Sequence, residues 1–115
     1  MRKIPYNKLV RDNIPDILDE LNIKCQYRYL TDEKEIVKYL VKKVLEEAKE
    51  IVDAYQNKGD LIEEINDISL VLEELQYICF KHVSVDEVTR KAVEKDCKKG
   101  KFNNYVVLEV VEYED

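Results

Sequence analysis

The feature that most constrains this chain is the spacing of its apolar residues between positions 36 and 55. Ile36, Val37, Leu40, Val41, Val44, Leu45, Ala48, Ile51, Val52 and Tyr55 recur at the three- and four-residue intervals of one helix face. Asp32 with Glu35 supplies a helix-start pattern ahead of the run, and Asn57-Lys58-Gly59 supplies a stop in which glycine can take the left-handed C-terminal conformation. Asp60 with Glu63 opens a second run through Leu61, Ile65, Ile68, Leu72 and Leu75 to about His82. Two long helices joined by so short a turn fold back as an antiparallel hairpin. Ser84 with Glu87 opens a third helix through Val88, Ala92 and Val93, closed by Gly100. Pro15 suits the first turn of a shorter one ending near Asn22, with Ile14, Ile17, Leu18 and Leu21 on one face.

The expected fold class is therefore all-α, an antiparallel helical bundle. A minor pair of β-strands is expected near residues 25–30 (CQYRYL) and 105–111, where the tail NNYVVLEVV is rich in β-branched and aromatic residues. Two glycines, two prolines, no tryptophan and 38% charged residues agree with helix as the dominant class. At 115 residues one domain, 1–115, is expected. A chain of this size buries only about two-thirds of its unfolded surface by folding alone, which makes a homodimer or higher homo-oligomer the expected state.

The formal charge of −6 opposes general nucleic-acid binding, which draws on lysine and arginine to neutralise phosphates. No run approaches the roughly 18 apolar residues of a membrane span, and the opening MRKIPYNKLVRDNIP has no apolar signal core. Three cysteines, Cys25, Cys79 and Cys97, have no metal-type spacing and fit a reducing compartment, so a cytoplasmic protein is expected.

The chemistry resides in two acidic clusters, LEEAKE (Glu46, Glu47, Glu50) and EEIND (Glu63, Glu64, Asp67), each with acids three residues apart and so on one helix face. Acids are common on solvated faces, and the chain has 25 Asp and Glu residues. On a helical wheel of about 100° per residue, however, Glu64 falls among Ile65, Ile68, Val71 and Leu75, with Asp67 at the margin. Glu47 borders Leu40, Val44 and Ile51, with Glu50 next to it. Glu46 and Glu63 point further outward. Ionised side chains beside an apolar stripe need a partner. No lysine or arginine is expected at those inward positions, which leaves a hard cation such as Mg²⁺, held by oxygen ligands from two facing helices. A ferritin-style di-iron site is excluded: it needs Glu-x-x-His, and residue 79, three before His82, is cysteine.

The EE-x-x-E of Glu46, Glu47 and Glu50, followed after thirteen residues by the E-x-x-D of Glu64 and Asp67, resembles the signature of the all-α nucleotide pyrophosphohydrolases of the MazG-like superfamily. The opening YNKLVRDNIPDIL and the closing KKGKF before VVLEV resemble a MazG-like, phosphoribosyl-ATP pyrophosphohydrolase-like branch. The resemblance implies Mg²⁺, with Mn²⁺ as a substitute, on Glu47, Glu50, Glu64 and Asp67. Glu46 and Glu47 would act in catalysis, Glu46 at a second ion or in orienting water. It also implies cleavage of a nucleoside triphosphate between its α- and β-phosphates to a monophosphate and pyrophosphate, in a house-cleaning role. Lys8, Arg11, Lys98 and Lys101 are the candidates for binding substrate phosphates, which need cationic donors. The competing expectation is a non-enzymatic helical interaction module with a solvated acidic face.

Overall fold

The computed structural model describes residues 2–114 and contains four helices in this order: α1 Ile14–Glu20, α2 Glu33–Gln56, α3 Leu61–Phe80 and α4 Val85–Lys99. Their contacts divide the chain into two compact units, one ending at Lys81 and one beginning at His82.

In the first unit α2 and α3 pack on each other, and Lys81, just past the end of α3, pairs with Glu33, the first residue of α2. The two helices therefore run antiparallel, as the short connection demands. Their contact seam is legible in the burial pattern. On α3 it consists of Glu64, Asp67, Ile68, Val71, Leu75 and Ile78, all partly buried at helical spacing. On α2 the buried positions are Leu40 and Ala54, with Val44, Glu47, Ala48 and Ile51 partly buried between them. Three carboxylates thus stand in one seam with aliphatic residues, as the helical wheel anticipates.

The caps follow the sequence closely. Asp60 accepts from the Glu63 N–H at 3.1 Å and Ser84 from the Glu87 N–H at 3.1 Å, while Asp32 bonds the nearer Lys34 N–H at 3.2 Å. The end of α2 differs from expectation. Lys58, not Gly59, takes the left-handed conformation, with φ 55°, and the Gly59 N–H returns to the Ala54 carbonyl at 2.7 Å. Glycine at 59 eases a different constraint: a Cβ there would lie in tight contact, 3.1 Å from the Ala54 Cα.

The second unit contains α4, braced by Arg90–Glu94 and Lys91–Glu87 pairs and ended by Gly100 at φ 77°, whose N–H bonds the Asp96 carbonyl at 2.8 Å. The strand pair expected near residues 25–30 and 105–111 is not formed, and no strand occurs among the described residues. Tyr27 and Tyr29 do show an extended, every-second-residue relation, with rings edge-to-face at 5.8 Å, but no ladder partner lies beside them. Tyr105 has φ 49°, which breaks the extended run at its first residue. β-propensity favours a pleated surface without providing the neighbouring strand that a sheet requires. Among the described residues no helix is long and apolar enough to cross a membrane.

Candidate metal centre

Glu47 of α2 meets Glu64 and Asp67 of α3, and one carboxylate oxygen from each lies within 4.8 Å of the other two. All three residues are partly buried. Burial raises the Glu47 carboxyl above its ordinary value, opposed by the nearby Lys43 ammonium and reinforced by Asp67, Glu46 and Glu50. Glu64 is also raised, first by desolvation and then by Asp67, Glu50, Glu63 and Glu47. Like charges held together in a partly dry seam favour the proton, or a cation in its place.

The dimensions suit a small divalent ion. Mg²⁺ takes oxygens at about 2.1 Å, which sets neighbouring ligands roughly 3 Å apart and opposite ones roughly 4.2 Å apart. Three carboxylate oxygens lying within 4.8 Å of one another are on the scale that such a coordination sphere spans. Hard oxygen donors without sulfur or imidazole match Mg²⁺ or Mn²⁺ rather than zinc.

The structure distributes the other expected site residues unevenly. Glu50 is exposed and outside the trio, although its charge is felt at both Glu47 and Glu64. Glu46 does not point freely outward: it is partly buried beneath two lysines, with Lys43 at 3.3 Å and Lys8 at 3.6 Å. Arg11 reaches Asp67, donating from Nη2 to Oδ1 at 2.7 Å. Lys98 lies at the C-terminal end of α4 and Lys101 just beyond it, 3.8 Å from Asp96, both in the second unit.

Two of these contacts correct the expectation that no basic group shares the inward positions. Lys43 is largely buried, with its side chain 19% exposed, and stands 3.9 Å from Glu47 as well as close to Glu46. Its spacing, three before Glu46 and four before Glu47, was the available signal, since such residues share a helix face. Arg11 gave no such signal, because it comes from a non-helical segment 56 positions away from Asp67.

Compared with protein-family models, curated proteins and solved structures, the chain matches none.

The Arg11–Asp67 pair makes a prediction about metal affinity. A cation entering the trio must displace the guanidinium or share Asp67 with it. The pair is substantially exposed, so its strength is modest. Arg11→Gln is expected to tighten Mg²⁺ binding by roughly two- to fivefold in a calorimetric titration without substrate. Weaker binding in the variant would mean that Arg11 organises the ligands instead of competing for them.

Proposed function

We propose that the protein is a Mg²⁺-dependent nucleotide pyrophosphohydrolase that cleaves a nucleoside triphosphate between its α- and β-phosphates, releasing a monophosphate and pyrophosphate. The observation that supports this most strongly is the convergence of Glu47, Glu64 and Asp67 from two facing helices. These acids belong to the EE-x-x-E and E-x-x-D pair whose spacing resembles the MazG-like enzymes.

In this reading Glu47, Glu64 and Asp67 hold the ion, and Glu50, one helical turn from Glu47, joins them when substrate is present. A bound ion would supply charge neutralisation on the phosphates and make a nearby water more acidic. Glu46, its carboxylate beside the Lys43 and Lys8 ammoniums, would orient the attacking water. Arg11, once released from Asp67, and Lys8 supply phosphate donors from the N-terminal segment. Carboxylates that repel one another in the absence of an ion gain most when it arrives, so ion and polyphosphate should bind cooperatively.

A homo-oligomer belongs to the same proposal. Besides the seam, α2 and α3 carry a second apolar row that remains exposed, including Val41, Leu45, Val52, Ile62 and Ile65, each at least half exposed. Covering such a row is a common role of another helix. The same exposed row favours the rival reading, a helical interaction module, which requires neither metal nor turnover.

Phosphorus NMR of the products separates the two. Incubation with a panel of ribo-, deoxyribo- and modified nucleoside triphosphates and Mg²⁺ is expected to give pyrophosphate and a monophosphate from at least one substrate. Orthophosphate as the sole product would exclude α–β cleavage, and the absence of turnover across the panel would favour the interaction module.

A further inference from the structure

Beside the carboxylate trio, a cleft of about 250 Å³ lies between the N-terminal segment and the middle of α2. Its walls include Tyr6, Lys8, Tyr39, Lys42, Lys43 and Glu46. Three ammonium groups and one carboxylate give it a local charge of opposite sign to the chain's −6. Two of the ammoniums rest on aromatic faces, Lys8 5.2 Å from the Tyr6 ring centre and Lys42 5.6 Å from that of Tyr39. Such contacts restrict the long lysine stems.

An anionic oxygen already has a place there. The Glu46 carboxylate lies 3.3 Å from the Lys43 ammonium and 3.6 Å from that of Lys8. Lys43 also stands 3.9 Å from Glu47, so the cationic cleft and the carboxylate trio share a wall. An ion bound at Glu47 would repel the Lys43 ammonium, and an incoming polyanion would give that ammonium a new partner.

We propose that this cleft is the subsite for the pyrophosphate end of the substrate, its β- and γ-phosphates, held by Lys8, Lys42 and Lys43. The inference rests on the pyrophosphohydrolase reading for the identity of the substrate. Two considerations select this end of the molecule. The β- and γ-phosphates carry most of the triphosphate's charge, and lysine binds phosphate as a point charge suited to such an unsubstituted group.

Calorimetric titration of the full chain with inorganic pyrophosphate, and separately with a nucleoside monophosphate, both in excess Mg²⁺, tests the assignment without turnover. Lys42→Gln is the first variant, because Lys42 is exposed and its replacement should not disturb folding. It is expected to weaken pyrophosphate binding about 10- to 100-fold, as loss of a charge-assisted contact does, and to leave monophosphate binding unchanged. Lys8→Gln should behave likewise, and Lys34→Gln, remote from the cleft wall, should alter neither ligand.

Failure of wild type to bind pyrophosphate would overturn the assignment. So would unchanged pyrophosphate affinity in both cleft variants, or equal weakening for the two ligands. If pyrophosphate binds with the expected lysine dependence but no triphosphate is hydrolysed, the cleft stands as a polyphosphate site and the enzymatic reading falls. If hydrolysis occurs with lysine-independent pyrophosphate binding, the enzymatic reading stands and the subsite falls.

Discussion

Glu64→Gln is expected to lower triphosphate turnover by about 100-fold or more while leaving the metal-free protein as stable as wild type or more stable. The first effect follows from the role of a metal-held carboxylate in phosphoryl chemistry, where the ion's contribution is several kcal/mol and each 1.36 kcal/mol is tenfold in rate. The second follows from position. Glu64 occupies the seam with Ile68 and Val71, where its carboxyl is raised by desolvation and by Asp67, Glu50, Glu63 and Glu47. Glutamine keeps the shape and removes one charge from that group. Wild type should also gain stability from Mg²⁺ by about 2.7 kcal/mol at a hundredfold excess over the dissociation constant, and the variant much less. Thermal melts in EDTA and in Mg²⁺, run beside a pyrophosphate assay, measure all three effects. Equal Mg²⁺ responses together with retained turnover would remove Glu64 from the site.

The metal-free protein should lose stability as pH rises above about 4.5, the ordinary value for glutamate, and Mg²⁺ should suppress that loss. Glu47 and Glu64 both have raised carboxyls in the fold. Between the unfolded value and the raised folded values the native state holds more protons than the unfolded one, so the slope of unfolding free energy against pH is negative. Below that window both states are protonated and these glutamates have no effect; above it the penalty is complete. Glu35 acts in the opposite sense and in a different range. Arg28 lowers its carboxyl, so its stabilisation is present above 4.5 and is lost as pH falls through the folded value. The difference between wild type and a Glu47→Gln/Glu64→Gln double variant isolates the two inward acids. That difference should grow as pH rises from 4.5 toward neutrality in EDTA and shrink or reverse in Mg²⁺. A constant difference across this range would show that neither carboxyl is strained by the seam.

What the sequence made legible is what helices encode locally. Asp60 and Ser84 announce their caps through residues three positions on, and the seam of Ile68, Val71 and Leu75 is written in three- and four-residue spacing. The same spacing places Glu47 and Glu64 inward. Non-local contacts were not legible. The reach of Arg11 to Asp67 spans 56 positions through a segment without periodicity, and Tyr6 and Tyr39 share a cleft for the same unpatterned reason. The strands expected at 25–30 and 105–111 show the reverse error, in which residues that favour extension were read as having found a partner. Gly59 illustrates a finer limit, because glycine there relieves a close approach to Ala54 while Lys58 took the left-handed step.

The central claim is that Glu47, Glu64 and Asp67 together hold a divalent cation. Titration with Mn²⁺ followed by electron paramagnetic resonance, in which free ion gives the sharp signal, tests it directly and without substrate. Saturable binding by wild type is expected, displaced by Mg²⁺, weakened at least about tenfold in both Glu64→Gln and Asp67→Asn, and unchanged in Glu109→Gln of the exposed tail. No saturable binding at millimolar Mn²⁺, or equal binding by wild type and the two seam variants, would contradict it.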